Sequence, residues 1–106
     1  MKRTFTALTL AATMFASSAS AFDPADLKKL KDTNSCVQCN LQGANPQDAN
    51  LSIAFLRGAI LWDANLQDVD LSSAVLRDAR LIGAIMNGVI LCNTTMPDGS
   101  VIYSGC

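Results

Sequence analysis

The sequence predicts an all-β solenoid, a rod in which short coils of chain stack on one another. A period of five residues runs from residue 39 to 98, where neither the helical spacing of about 3.6 nor the strand alternation of about 2 fits. Of the twelve blocks, nine have Leu at the third position and eight have Ala at the first. This pattern requires a backbone that turns inward once per block. Since no block can bury its Leu alone, the blocks must stack.

The blocks, written from Cys39, read CNLQG, ANPQD, ANLSI, AFLRG, AILWD, ANLQD, VDLSS, AVLRD, ARLIG, AIMNG, VILCN and TTMPD. Each Leu that becomes fully buried contributes about 1.5–3 kcal/mol. Pro46 departs from the pattern at the third position. It has no N–H to donate, which is easiest to accommodate in the first, edge-like coil.

This register resembles the pentapeptide-repeat family, whose signature is A-(D/N)-L-x-x, over the whole of residues 39–98. The flanks are similar to members that start with C-x-x-C and end with a C-N-T-T-M-P-D-G-S tail, here residues 36–39 and 92–100. The resemblance implies a right-handed quadrilateral β-helix with four blocks per coil. Twelve blocks then give about three coils and a rod roughly 15 Å tall.

Residues 1–21 are predicted to be a signal peptide. Lys2 and Arg3 precede an apolar stretch, and Ala19-Ser20-Ala21 matches the cleavage pattern. The stretch is short for a transmembrane anchor, which is the alternative. We therefore expect an exported protein, periplasmic or extracellular, with no membrane span after cleavage. Its net charge of −3, from six basic residues and nine Asp, does not suit nucleic-acid binding.

Both ends of the rod carry a predicted cap, residues 22–38 before the repeats and 99–106 after them. Asp23 can N-cap a helix from Pro24 to Lys31, with Phe22 and Leu27 at the staple positions. Leu27 and Leu30 share a face that can cover the first coil. At the other end, Pro97-Asp98-Gly99 is a turn signature that sends Val101, Ile102 and Tyr103 back to cover the last coil.

Four cysteines in a short exported chain indicate disulfides. In the implied coils Cys39 and Cys92 lie too far apart to be bridged, which favours Cys92–Cys106 and Cys36–Cys39. Cys36 and Cys39 also fall at inward positions, so buried free thiols are an alternative for that pair.

The chain has no His and no Glu, so Ser-His-Asp and Cys-His catalysis cannot be assembled within it. We predict no enzymatic activity and no cofactor. A thiol/disulfide-linked accessory protein using the C-x-x-C pair is the alternative, although the strand-to-helix setting of such motifs is missing. The cysteine pairs are too distant for a zinc site. Asp48, Asp68 and Asp70 could suggest a calcium site. The glycine-rich loops of calcium-binding β-rolls are absent from the sequence, which favours a solvated acidic corner.

One exterior surface is predicted to interact with a partner. Blocks four apart align so that Phe55 lies beneath Val75, and two adjacent faces combine apolar side chains with arginines. The candidate interaction surface comprises Phe55, Arg57, Ile60, Trp62, Val75, Arg77 and Ile82. Exposed apolar patches with a polar rim favour a protein partner or self-association. The alternative is a ladder of side chains that only stabilises the stack.

Overall fold

The computed structural model describes residues 21–47 and 49–106. The helix α1 spans Pro24–Thr33, and the strands β1 and β2 span Thr94–Thr95 and Val101–Ile102. Apart from Ala21, the predicted signal peptide lies outside the described residues, and so does Asp48 of the predicted acidic corner.

Each repeat block ends in a tight turn. The N–H of the first residue of a block donates to the carbonyl of the third residue of the preceding one, as in Ala59 to Leu56 (3.0 Å) and Ala74 to Leu71 (3.0 Å). The fifth residue of nearly every block has positive φ, as at Gly58 (69°) and Ser73 (59°). A positive φ at this place is the geometry of a type II turn. The five-residue period is therefore a period of turns.

Blocks four apart in sequence lie side by side. Parallel bridges join residues 20 positions apart: Ser35 to Phe55, Asn40 to Ile60, Phe55 to Val75, Ile60 to Arg80, Asn65 to Ile85, Asp70 to Ile90 and Val75 to Thr95. Around each bridge, one coil (a 20-residue stretch) donates N–H groups to the next and accepts others from it. Leu61 donates to the Arg80 carbonyl at 2.8 Å, and Arg80 donates to the Ala59 carbonyl at 2.9 Å.

The core is a column of leucines with alanines between them. Seven repeat leucines are no more than 1% exposed: Leu41, Leu51, Leu56, Leu61, Leu66, Leu71 and Leu76. Five of the eight alanines at the first position are fully buried: Ala44, Ala54, Ala59, Ala64 and Ala74. Their small side chains let neighbouring turns approach while the leucines fill the axis, as the period predicts.

The N-terminal end of this column is covered by α1. Asp23 caps the helix by accepting from the Ala25 N–H (2.9 Å), and Leu30 is fully buried in the core. The helix was predicted to run from about Pro24 to Lys31, and it ends two residues later. The helix continues to Thr33 because Asn34, with φ of 59°, is a left-handed C-cap whose N–H donates to the Leu30 carbonyl.

The C-terminal end is not covered in the same way. β2 pairs antiparallel with β1, Thr94 opposite Ile102 and Thr95 opposite Val101. The tail, whose residues 101–103 were predicted to cover the last coil, covers it only in part: β2 pairs along one face, and Gly105 donates to the Leu91 carbonyl on the neighbouring face (2.9 Å). Val101 and Tyr103 stay 44% and 62% exposed, and the inward residues of the last coil, Leu81, Met86 and Leu91, are only partly buried.

Within the described residues, no helix combines the length and the apolar character needed to cross a membrane.

Candidate interaction surface

The second residue of a block decides whether its turn is capped by a side chain. In five blocks an Asn or Asp there accepts a hydrogen bond from the N–H of the fourth residue. Written from donor to acceptor, these bonds join Gln42 to Asn40, Gln47 to Asn45, Ser52 to Asn50, Gln67 to Asn65 and Ser72 to Asp70. The hydrogen bonds between coils use the N–H groups of the second, third and fifth residues. The fourth N–H is left over, and the Asx turn satisfies it.

Seven blocks lack this cap, and four of these seven lie side by side in the rod. Phe55, Ile60, Val75 and Arg80 stand at the second position. Among the described residues, no acceptor is found for the N–H groups of the fourth residues in these blocks, Arg57, Trp62, Arg77 and Ile82. A net hydrogen bond contributes about 0.5–1.5 kcal/mol, and a cross-strand side-chain pair about 0.2–1 kcal/mol. Stacking alone therefore gives little reason to replace Asn or Asp here.

These blocks bring the predicted apolar side chains together on two adjacent faces. We call Phe55, Ile60, Trp62, Val75 and Ile82 the ridge. Phe55 is bridged to Val75, as the alignment of blocks predicts. Phe55 is 52% exposed and Ile82 is 75% exposed, while the other three are partly buried. The ridge is thus anchored in the rod and open to solvent along its length.

The arginines around the ridge differ in what they contact. The guanidinium of Arg80 lies 5.8 Å from the centroid of the Trp62 ring, in cation–π range. Arg80 was not among the predicted site residues. The alignment of blocks four apart, which places its block one coil above that of Trp62, could have identified it. Arg77 turns toward the tail, since its Nη1 would lie 3.0 Å from a Cβ at Gly99. Arg57 is exposed at the solvent side of its block.

The Trp62 indole N–H is covered by its surroundings and donates to no acceptor within the described part of the chain. A shielded donor without a partner costs about 1–3 kcal/mol. An acceptor on a partner could reach this N–H only if the groups that cover it moved apart.

Ile53 is an apolar neighbour of the ridge that the sequence analysis did not identify. It occupies the fifth position of its block with φ of 64°, a region that is strongly disfavoured for β-branched residues. Other blocks place Gly, Asp, Ser or Asn there, and Ile53 is 64% exposed. The chain thus holds a strained, exposed isoleucine two residues before Phe55.

Replacing Ile53 with Asn is expected to stabilise the fold by about 1 kcal/mol, because Asn tolerates the left-handed region and little burial is lost. Asn93 already occupies the fifth position two coils further on, with φ of 56°. Thermal unfolding followed by circular dichroism should show a midpoint roughly 4–8 °C higher. Ile82→Asn, which removes an exposed isoleucine without positive φ, is the control. An equal gain from both substitutions would show that φ is not the cause.

The structure joins Cys36 to Cys39 and Cys92 to Cys106, with Cα–Cα distances of 5.3 and 4.8 Å. Cys36 and Cys39 are 0% and 4% exposed, so a thiol exchange partner has little access to them. Nowhere in residues 21–47 and 49–106 do three or more Cys, Asp or Glu side chains gather as metal ligands.

Two carboxylates outside the ridge titrate below their usual range. Asp70 accepts hydrogen bonds from the Oγ of Ser72 (2.6 Å) and its N–H (2.9 Å), and these lower the pKa of Asp70. The same pair of bonds from Ser100 lowers the pKa of Asp98. A depressed pKa means that the stabilisation is present at neutral pH and is lost as the pH falls through the folded-state value. Both caps therefore persist in mild acid.

The repeat matches a known protein family. The family model "Pentapeptide repeats" matches residues 49–88 and 59–96, with eight copies of the repeat. The chain belongs to the pentapeptide-repeat family. Proteins of this family fold as right-handed quadrilateral β-helices and are generally non-enzymatic structural or interaction modules.

Three solved structures of pentapeptide-repeat proteins are similar to parts of the chain. HetL, described as involved in heterocyst differentiation regulation in the cyanobacterium Nostoc sp. strain PCC 7120, is 28% identical over 64% of this chain and 43% of its own, with a TM-score of 0.34. Rfr23 from the cyanobacterium Cyanothece 51142 is 32% identical over 65% and 40%, with a TM-score of 0.31. The alr5209 protein of Nostoc PCC 7120 is 26% identical over 67% and 78%, with a TM-score of 0.32.

This chain therefore spans less than half the length of HetL and of Rfr23. No curated protein matches it.

Proposed function

We propose that this chain is an exported, non-enzymatic pentapeptide-repeat module that binds a protein partner through the ridge. Its body is a right-handed quadrilateral β-helix of about three coils, with α1 as its N-terminal cap and no cofactor. Of the seven blocks that lack the Asx cap, four adjoin one another and form the ridge, and this cluster of apolar side chains is the observation that carries the proposal. Apolar side chains replace the turn-stabilising residue in three of those four blocks, where Phe55 is exposed and Ile60 and Val75 are half-buried, and Arg80 replaces it in the fourth.

The composition of the ridge suits a protein partner. An aromatic pair, Phe55 and Trp62, is flanked by Arg57 and Arg80, and aromatic residues with Arg are the commonest hot spots of protein interfaces. The uncapped N–H groups supply donors that are unpaired within the described chain. A partner with carbonyl or carboxylate acceptors would pair with them and bury the apolar side chains at the same time.

The proposal predicts site-specific crosslinking from the ridge. A photoreactive amino acid at position 82, which is 75% exposed, should capture a defined protein in the native cells. The same probe at position 67, an exposed site on another face, is the control and should not capture it. The adduct is identified by mass spectrometry and reproduced with the purified partner.

A double variant, Phe55→Asn with Ile60→Asn, sharpens the test. It restores the second residue that the capped blocks carry, so the fold should be at least as stable, while the apolar contact is lost. We expect the crosslink from position 82 to fall at least about tenfold, which corresponds to roughly 1.4 kcal/mol. Adducts that persist in this variant, or equal adducts from position 67, would mean that the ridge is only a stacking ladder.

A further inference from the structure

Two arginines at fourth positions of repeat blocks combine a cation with a free backbone donor. Arg57 and Arg77 are the only cations at that position in the twelve blocks. The second residue of their blocks, Phe55 or Val75, cannot form the Asx cap. The N–H groups of both arginines have no acceptor among the described residues. In the repeats, a cation therefore follows the second position only where that position leaves a donor uncapped.

A carboxylate of this chain already occupies the corresponding place in another block. Asp70, at the second position, accepts from the Oγ of Ser72 at 2.6 Å and from its N–H at 2.9 Å, and these bonds lower the pKa of Asp70. The fourth-residue N–H thus helps to hold a charged carboxylate. Arg57 and Arg77 offer a guanidinium where that block has the Ser72 hydroxyl, and charge-assisted hydrogen bonds are stronger than neutral ones.

Neither arginine is neutralised by a carboxylate of the described chain. The one ion pair among the described residues joins Lys28 to Asp32 on α1. Asp63, at the corner beside the ridge, does not reach an arginine. Its carboxylate lies against Gly83, at the place that a Cβ would take there. The ridge therefore keeps cations that an external anion can pair with.

We propose, as a consequence of the proposed function, that the ridge binds an acidic segment of its protein partner. Asp or Glu carboxylates of that segment take the place of the missing Asx caps at Arg57 and Arg77, where they accept from the N–H and pair with the guanidinium. Apolar residues beside these carboxylates pack on Phe55 and Trp62. The partner thus supplies to these turns the carboxylate that Asp70 supplies to its own.

The charge distribution around the rod favours this occupant. The ridge blocks, residues 54–63 and 74–83, hold three Arg and two Asp, a net charge of +1. The blocks of the other two faces, residues 44–53, 64–73 and 84–93, hold three Asp and no cation. An acidic segment is therefore attracted to the ridge and repelled from the other two faces.

A protein segment suits the ridge better than a flat anionic surface does. Asp63 and Asp78 are exposed at the fifth positions of two ridge blocks. A membrane with anionic headgroups would meet these carboxylates together with the arginines, at a cost in like-charge repulsion. A flexible segment can instead place its own carboxylates at Arg57 and Arg77 alone.

The test starts from a library of random short peptides displayed on phage and selected on the immobilised, oxidised protein. Selected sequences should combine Asp or Glu with aromatic or aliphatic residues. Trp62 is the one Trp of the sequence, so the fluorescence of the protein reports the binding of a synthetic Trp-free peptide at the ridge. The same peptide with Asn and Gln in place of Asp and Glu should bind at least about tenfold more weakly.

Two pairs of variants assign the effect to the arginines and to the missing caps. Arg57→Gln with Arg77→Gln should weaken the acidic peptide at least about tenfold. Lys29→Gln with Lys31→Gln, which removes the same charge from α1, is the control and should not. Val75→Asn restores a cap on the Arg77 N–H and should weaken binding more than Val75→Ala, which removes the side chain without supplying an acceptor.

Several outcomes would overturn the acidic segment as the occupant. These are a selection that yields no ridge binder, selected peptides without acidic residues, and equal binding of the acidic and carboxamide peptides. Binding to phosphatidylglycerol vesicles or self-association, lost in the arginine variant and without binding of acidic peptides, would identify a different occupant.

The crosslink from position 82 separates this inference from the proposed function. An adduct that forms equally in the parent and in the arginine variant would keep the ridge as an interface and exclude the acidic segment. No adduct in either protein would reject the interface itself.

Discussion

Replacing Leu66 with Asp is expected to unfold the protein. Leu66 is fully buried in the middle coil, and its N–H donates to the Ile85 carbonyl at 2.9 Å. The substitution removes about 1.5–3 kcal/mol of apolar burial and forces a carboxylate into an apolar column that offers no cation. A total cost above roughly 4 kcal/mol approaches the whole stability of a small domain. Circular dichroism and amide chemical-shift dispersion measure the loss directly.

Two further variants give the Leu66→Asp result its meaning. Gln67→Asp introduces the same charge one residue away on an exposed side chain and should leave the fold intact. Leu81→Asp makes the same change at the same inward position where the side chain is only partly buried, so its cost should be clearly smaller. Equal unfolding by all three, or a Leu66→Asp variant as stable as its parent, would contradict the assigned register.

The stacking of the blocks could be predicted because the sequence repeats it. The inward Leu and the small first residue recur every five positions, so one stacking rule accounts for residues 39–98. The bridges from Phe55 to Val75 and from Ile60 to Arg80 follow from the same rule. The Asx caps at Asn40 and Asn65 could be predicted in the same way, because an Asn whose side chain accepts from the N–H two residues later is a known local motif.

The ends could not be predicted in the same way because each is built only once. Asn34 ends α1 two residues past Lys31 through a left-handed cap, and the repeat pattern carries no information on that cap. The tail was expected to cover the axis because Val101 and Ile102 are apolar. The hydrogen bonds of an antiparallel pair with Thr94 and Thr95 determine its path instead, and periodicity carries no information on that pairing.

The repeat pattern alone also did not reveal the strained backbone at Ile53. Its block, ANLSI, satisfies the Ala and Leu positions, and only the φ of 64° shows that the fifth residue must be left-handed. Once that rule is known, the sequence itself identifies the exception: Ile53 is the single β-branched residue at a fifth position of the twelve blocks. The position lies beside Phe55, which adds local strain to the surface proposed to bind a partner.

Removing the Cys92–Cys106 disulfide is expected to release the tail while the rod stays folded. The bond links residues 14 apart, and closing a loop of this size contributes about 3 kcal/mol in the chain-entropy account. Without it, the tail keeps the two-residue pair of β1 with β2 and the backbone hydrogen bonds from Met96 to Ser100 and from Gly105 to Leu91, and an isolated short hairpin is marginal in water. The leucine column of the first two coils does not depend on these contacts.

Limited proteolysis of a Cys92→Ser/Cys106→Ser variant measures this effect. Chymotrypsin should cut after Tyr103, which is 62% exposed, at least about tenfold faster than in the parent, while the core resists. Ser104→Ala, a neighbouring change that keeps the disulfide, is the control. Unchanged cleavage in the double variant would show that the hairpin alone holds the tail. Collapse of the whole circular dichroism signal would instead show that the last coil and the tail unfold as one cooperative unit with the rod.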